Sequence, residues 1–125
     1  MASIMIVDDD PDSCEPVALY LRKSGHAVSC VPNGREAVLA VMDAPPDVVI
    51  LDLVMPEMDG PTFLEVARSY LRLQSLPVVV LTAQPDSFLA RRAKLLNVHA
   101  TLCKTQATLM DIQQAAESAI GQRPA

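Results

Sequence analysis

Apolar residues gather in five short runs, at 4–7, 27–31, 48–51, 78–81 and 100–103. The first, third and fourth are continuous and rich in Val and Ile rather than alternating. Such runs belong to strands buried on both faces of a parallel sheet. Helical patterns fill the intervals. One covers 13–24, with Pro16 in its first turn and Gly25 placed to end it. A second covers 35–43, entered through Pro32-Asn33-Gly34 and stopped by Pro45-Pro46. A third covers 61–73 and opens on Pro61, whose missing N–H costs nothing there. In a fourth, 86–97, Leu89, Ala93 and Leu96 recur at core spacing while Arg91, Arg92 and Lys94 face outward. The last, 107–120, carries Leu109, Ile112, Ala116 and Ile120 as an apolar stripe. Strict alternation of strand and helix predicts an α/β doubly wound sheet, because right-handed crossovers put helices on both faces. The pattern makes one domain over 1–120, followed by a tail or the start of a linker at 121–125.

Composition narrows the class. With 125 residues, 50% of them hydrophobic and 20% charged, the chain has enough apolar surface for a core and is neither disordered nor fibrous. On the usual area scaling about two-thirds of its surface is buried by folding. Ten Lys+Arg against fifteen Asp+Glu give a net charge of −5. A duplex-binding domain needs a basic face, so no direct nucleic-acid partner is expected. No apolar run has the length of a membrane span, and acids begin at Asp8 with no basic residue before Arg22, unlike a secretory signal. Cys14, Cys30 and Cys103 are an odd set without metal-ligand spacing. They are expected to be reduced thiols of a cytoplasmic protein.

In an open α/β sheet the ligand crevice lies beyond the carboxyl ends of the strands. Asp8, Asp9 and Asp10 follow the first strand and Asp52 the third; Thr82 closes the fourth, and Lys104 follows the fifth. The second strand runs into Val31-Pro32-Asn33, which offers little chemistry. Two carboxylates about 4 Å apart, at an effective dielectric of about 20, repel by about 4 kcal/mol. One must then hold a proton, or a cation must neutralise them. A small carboxylate count suits Mg²⁺, which keeps waters and favours phosphate as a further ligand. Lys104 is a point charge for a phosphoryl oxygen, and Thr82 is a hydroxyl donor. An Asp in such company can attack phosphorus, so the implied chemistry is phosphoryl transfer onto Asp. A calcium loop starting at Asp8, Asp10 and Asp12 fails, because its sixth position is not Gly and its twelfth is Leu19.

The distinctive pieces are Ile6-Val7-Asp8-Asp9, Asp47 to Asp52 continuing into Met55-Pro56-Glu57-Met58-Asp59-Gly60, Leu81-Thr82-Ala83, and Lys104. Asp9 precedes Asp52 by 43 residues, Thr82 follows 30 later, and Lys104 comes 22 after that. On this ordered set the chain resembles the receiver domains of bacterial response regulators, of the single-domain, chemotaxis-regulator-like kind, from Ile4 to about Ile120. The resemblance implies a flavodoxin-like sheet of order 2-1-3-4-5 with five helices. It implies Asp52 as phosphoacceptor, with Mg²⁺ held by Asp9, Asp52 and the Val54 backbone carbonyl, and by Asp8 through a water. Lys104 would pair with Asp52 at rest and with the phosphoryl group afterwards, and Thr82 would move toward that group. The implied partners are a sensor histidine kinase or phosphotransfer protein and an output protein of unknown identity. The output would bind through the fourth helix, fifth strand and fifth helix, a face through which two copies also pair. Such a domain catalyses only its own phosphorylation and dephosphorylation.

Two positions depart from the family. Thr105 follows the lysine where proline is usual, so a trans bond is expected there. Thr101 stands where an aromatic ring usually turns inward, which removes the usual readout. Apolar Val54, beside Gln84, cannot orient an attacking water, so slow dephosphorylation is expected. Asp10 is expected to be a surface or capping residue and not a ligand, Cys103 to be core, and His26 and His99 to lie at the surface or a strand edge without an acid partner. One alternative is a degenerate, phosphorylation-independent interaction module. Another is a phosphatase resembling the haloacid dehalogenase superfamily, using Asp8-Asp9-Asp10. That family needs a further acidic pair after its lysine, where this chain has only Asp111 and Glu117, and a cap domain for which there is no room.

Overall fold

The computed structural model describes residues 1–121. Its strands are β1 (Ser3–Val7), β2 (Ala27–Val31), β3 (Val48–Leu51), β4 (Val78–Thr82) and β5 (Ala100–Cys103). All pair in parallel in the order β2-β1-β3-β4-β5, as expected. The three inner strands are the Val- and Ile-rich runs. All of β3 and β4, and β1 from Ile4 on, are buried, whereas the edge strands β2 and β5 are partly open.

The helices are α1 (Pro11–Lys23), α2 (Gly34–Asp43), α3 (Gly60–Arg68), α4 (Phe88–Lys94) and α5 (Leu109–Gly121), with a 3-10 turn at Leu71–Leu73. On one face α2, α3 and α4 place Val41, Phe63, Leu64 and Ala90 against Val7, Val49, Leu51 and Val80. On the other, α1 and α5 set Val17, Leu21, Ile112 and Ala116 against Ile4, Ile6, Ile50 and Val79. Alternate strand residues thus serve opposite cores, as the pleat requires.

The helix ends follow cap chemistry. Asp10, Asn33, Asp59 and Ser87 each accept a backbone N–H from the first turn that follows. Thr108 and Asp111 exchange N–H bonds at 2.9 and 3.0 Å, a capping box that starts α5 two residues later than the apolar pattern. The third helix is shorter than its pattern. Ser69 Oγ bonds the Val66 carbonyl, and the Arg68 guanidinium gathers the carbonyls of Leu73, Leu76, Leu96 and Asn97 at 2.8–3.0 Å. The Ser69 hydroxyl takes a carbonyl that a longer helix would have used internally, and Arg68 fastens the turn that follows to the segment after α4.

Three expectations need correction. Cys14 and Cys30 form a disulfide and are not free thiols, because parallel pairing of β1 with β2 brings Cys30 under the first turns of α1. Cys103 is only half-buried, since β5 is an edge strand. His26 does have an acid partner, Glu117 at 2.9 Å, and its Nδ1 accepts the Ala2 N–H. Gly121 is the last residue of α5, and the rest of the expected tail, residues 122–125, lies outside those described. No helix among the described residues is long and apolar enough to cross a membrane.

Candidate phosphoacceptor site

Four strand ends converge on one edge of the sheet. Backbone bonds at each strand's exit hold them level. The Asp8 N–H donates to the Val31 carbonyl at 3.0 Å, and the Asp52 N–H to the Val7 carbonyl at 2.9 Å. The Lys104 N–H donates to the Thr82 carbonyl at 2.7 Å. The second strand, which looked chemically empty, therefore helps to position Asp8 through Val31.

Asp8, Asp9 and Asp52 each present a carboxylate oxygen, and these oxygens lie within 4.8 Å of one another. Asp8 is buried, Asp52 half-buried and Asp9 exposed. Asp8 is already engaged, with one oxygen accepting the Asp10 N–H at 2.9 Å and the other accepting from Lys104 Nζ at 2.9 Å. The same Nζ is 3.8 Å from Asp52. At rest, then, Lys104 hydrogen-bonds Asp8 and only approaches Asp52. Asp10 caps α1 and points its carboxylate at the Asp12 N–H.

Burial pushes the Asp52 carboxyl above its ordinary value. Lys104 opposes the push, the Asp8 charge adds to it, and the backbone N–H groups of Val54 and Leu53 resist. Burial pulls the Lys104 ammonium down, but its hydrogen bond to Asp8 and the charges of Asp52, Asp8 and Asp10 more than reverse this. The result is a clustered anion with one cation, short of positive charge. Three oxygen donors and no sulfur or imidazole form a hard donor set that fits a small divalent cation such as Mg²⁺.

The surrounding loop is shaped for the site. Leu53 is buried while Val54 stands 67% exposed at the mouth. Glu57 takes a left-handed φ of 68°, a feature that no sequence pattern signals for Glu. Thr82 is buried and accepts the Gln84 N–H at 3.3 Å. The Lys104–Thr105 bond is trans, as no cis peptide bond occurs among the described residues. Thr101 lines an open cavity of about 700 Å³ with Pro85, Cys103, Gln106 and Asp111. Asp111 and Glu117 are occupied in α5 by Thr108 and His26, so neither supplies a second acidic pair to the site.

Comparison with known proteins now decides the family. The response regulator receiver domain matches residues 4–117. The chain belongs to that family. Among curated relatives, the DNA-binding response regulator MtrA of Mycolicibacterium smegmatis is 37% identical over 84 residues, 67% of this chain and 36% of that protein. The receiver domain thus spans about a third of the length of the curated relatives it matches. Among solved structures, the signal receiver domain of a signal transduction histidine kinase from Syntrophus aciditrophicus superposes with TM-score 0.88 at 27% identity. That match covers 100% of this chain and 96% of the other. A sensor histidine kinase receiver domain from Pseudomonas aeruginosa PAO1 shares the fold at TM-score 0.89 and 22% identity, covering 97% of this chain and 98% of its own, and holds a magnesium ion in its active site cleft.

Proposed function

We propose that this receiver domain takes a phosphoryl group on Asp52 from a phosphohistidine of a sensor histidine kinase or phosphotransfer protein. The observation that carries the reading is the Asp8, Asp9 and Asp52 cluster with Lys104 Nζ at 2.9 Å from Asp8 and 3.8 Å from Asp52. A carboxylate oxygen of Asp52 forms the bond to phosphorus as the donor's P–N bond breaks, and the imidazole leaves with a proton. Asp9, Asp52 and the Val54 carbonyl would hold Mg²⁺, and Asp8 would act through a water because both its oxygens already have partners. When bound, the ion neutralises charge on the carboxylates and the transferring group. Lys104 Nζ, 2.9 Å from Asp8 and 3.8 Å from Asp52, would also reach a phosphoryl oxygen on Asp52. Thr82, at the end of β4, would turn its hydroxyl to the same group.

The domain would act in the cytoplasm on no separate substrate, catalysing only its own phosphorylation and dephosphorylation. Its signal would pass to an output protein through the face of α4, β5 and α5, where Phe88 and Leu95 of the α4 segment are exposed and the cavity at Thr101 opens between β5 and α5. Two copies would pair through that face as well. The small Thr101 side chain favours a partner that fills this cavity over an inward-turning ring.

Intact mass after incubation with acetyl phosphate, with and without Mg²⁺, tests the reading beside Asp52→Asn. The expected result is one added phosphoryl group, absent without Mg²⁺ and absent in the variant. An adduct that persists in the variant, or no adduct at all, would reject Asp52. In the second case Thr101 and Thr105 would favour a fixed interaction module. Steady phosphate release from phosphomonoesters would instead point to a phosphatase.

A further inference from the structure

The Cys14–Cys30 disulfide has Cα atoms 6.6 Å apart, within the span a bridge covers without backbone movement. One of its residues lies in α1, which follows the acid loop, and the other on β2, which pairs with the strand before it. The Cys14 N–H, in α1, donates to the Asp10 carbonyl at 3.0 Å. Cys30 pairs in register with Ile6, and its neighbour Val31 accepts the Asp8 N–H at 3.0 Å. Between them, Asp8 accepts the Asp10 N–H at 2.9 Å. Residues 8–10 thus enter the loop held by β2 and leave it held by α1, and the disulfide ties those two supports together. Cys14 is 2% exposed. Cys30 is the partly exposed member, on an edge strand, so an incoming thiolate meets Cys30.

We propose that Cys14–Cys30 is a redox-exchangeable clamp on the acid loop, opened by small-molecule thiols and closed by their disulfides. In opening, a thiolate attacks Cys30 Sγ, a mixed disulfide forms, and Cys14 leaves as a thiolate that takes up a proton. A second thiol displaces Cys30 from the mixed disulfide. The balance is one protein disulfide and two small thiols going to two cysteine thiols and one small disulfide, with two electrons passing to the protein. Closed, the bond holds Asp8 and Asp9 in place for a cation before it arrives; open, α1 and β2 keep the Arg22 bond to the Val28 carbonyl at 3.0 Å and their shared core but lose the covalent tie between them, and that preorganisation weakens. The exchange chemistry stands alone, while its effect on phosphorylation rests on the Asp52 reading.

The test uses the full chain carrying Cys103→Ser, so that only the pair responds. Protein equilibrated with oxidised glutathione or with dithiothreitol is treated with iodoacetamide and weighed. Both thiols are expected to be blocked after oxidation and both alkylated after reduction. Acetyl phosphate labelling across a Mg²⁺ series, well below both melting temperatures, should need about threefold less Mg²⁺ for half-maximal rate in the oxidised form. A Cys14→Ala, Cys30→Ala variant should match the reduced form under both treatments. Two alkylated cysteines after oxidation, or identical Mg²⁺ dependence in the two forms, would overturn the clamp. If neither form labels, the Asp52 reading fails, and calorimetric Mg²⁺ titration of the two forms decides the clamp by the same threefold criterion.

Discussion

Gly60 stands where the chain doubles back beneath Asp52. Its N–H donates to the Leu53 carbonyl at 2.9 Å, and a Cβ there would lie 2.6 Å from Leu53 Cδ2 and 3.0 Å from the Asp52 carbonyl oxygen. Gly60→Ala must push the loop that carries Asp52, at an overpacking cost of about 1–3 kcal/mol. A lower melting temperature together with slower acetyl phosphate labelling is the expected outcome; an unchanged labelling rate would mean the loop absorbs the methyl group elsewhere. Val54, 67% exposed beside the acids, has no polar group to orient water. Val54→Asn adds one, and a single hydrogen bond to the attacking water, worth about 1.4 kcal/mol in the barrier, speeds loss of the phosphoryl group about tenfold. Timing the decay of the labelled mass in both proteins checks this. The acids, Thr82 and Lys104 were legible as residue types at strand ends. Which acid Lys104 would bond was not, because its long side chain reaches both and only packing chose Asp8.

Strands were legible as elements because buried β-branched runs of four or five residues have few other uses, and all five fell within a residue of their expected bounds. Helix ends were less legible, since caps compete with the apolar stripe. The fifth helix starts where Thr108 and Asp111 cap each other, although Ala107 continues the apolar pattern. Thr108→Ala removes that cap and should cost about 1 kcal/mol, read by chemical denaturation. The third helix ended early where Ser69 Oγ takes the Val66 carbonyl and Arg68 bonds the nearby carbonyls of Leu73 and Leu76 together with those of Leu96 and Asn97, and the last two are partners no local window contains. The disulfide escaped for the same reason: an odd cysteine count argues against pairing until topology puts β2 beside α1. It closes a separation of 16 residues, and a loop of that order contributes about 3 kcal/mol in the chain-entropy account. Dithiothreitol should therefore lower the melting temperature of the wild type and leave the Cys14→Ala, Cys30→Ala variant unmoved.

At the scale of the molecule, one edge of the sheet concentrates negative charge that the metal-free fold must tolerate. Burial raises the Asp52 carboxyl above its ordinary 3.8. A carboxyl raised on folding favours the protonated native state, so its ionisation costs stability. That cost is absent below the unfolded value and grows as pH rises from there through the raised folded value. Without metal, Asp52 should accordingly subtract stability over that interval as pH increases, and the difference between wild type and Asp52→Asn across pH isolates that contribution. At neutral pH the same variant should be the more stable without metal, because burying an amide does not carry the desolvation cost of burying a carboxylate. Thermal melts of both proteins across pH, with chelator present, check both statements. Equal slopes would mean that burial of the Asp52 carboxylate carries no such cost. The sequence by itself determined the sheet, its helices and the delivery of Asp8, Asp9, Asp52, Thr82 and Lys104 to one edge, because hydrophobic period and strand-end position are local properties. Only the tertiary structure decided that Lys104 rests on Asp8, that Val31 positions Asp8, that His26 meets Glu117 and that Cys14 bonds Cys30. Each of these joins residues from different elements, and the parallel packing of the strands and helices sets the distance between them.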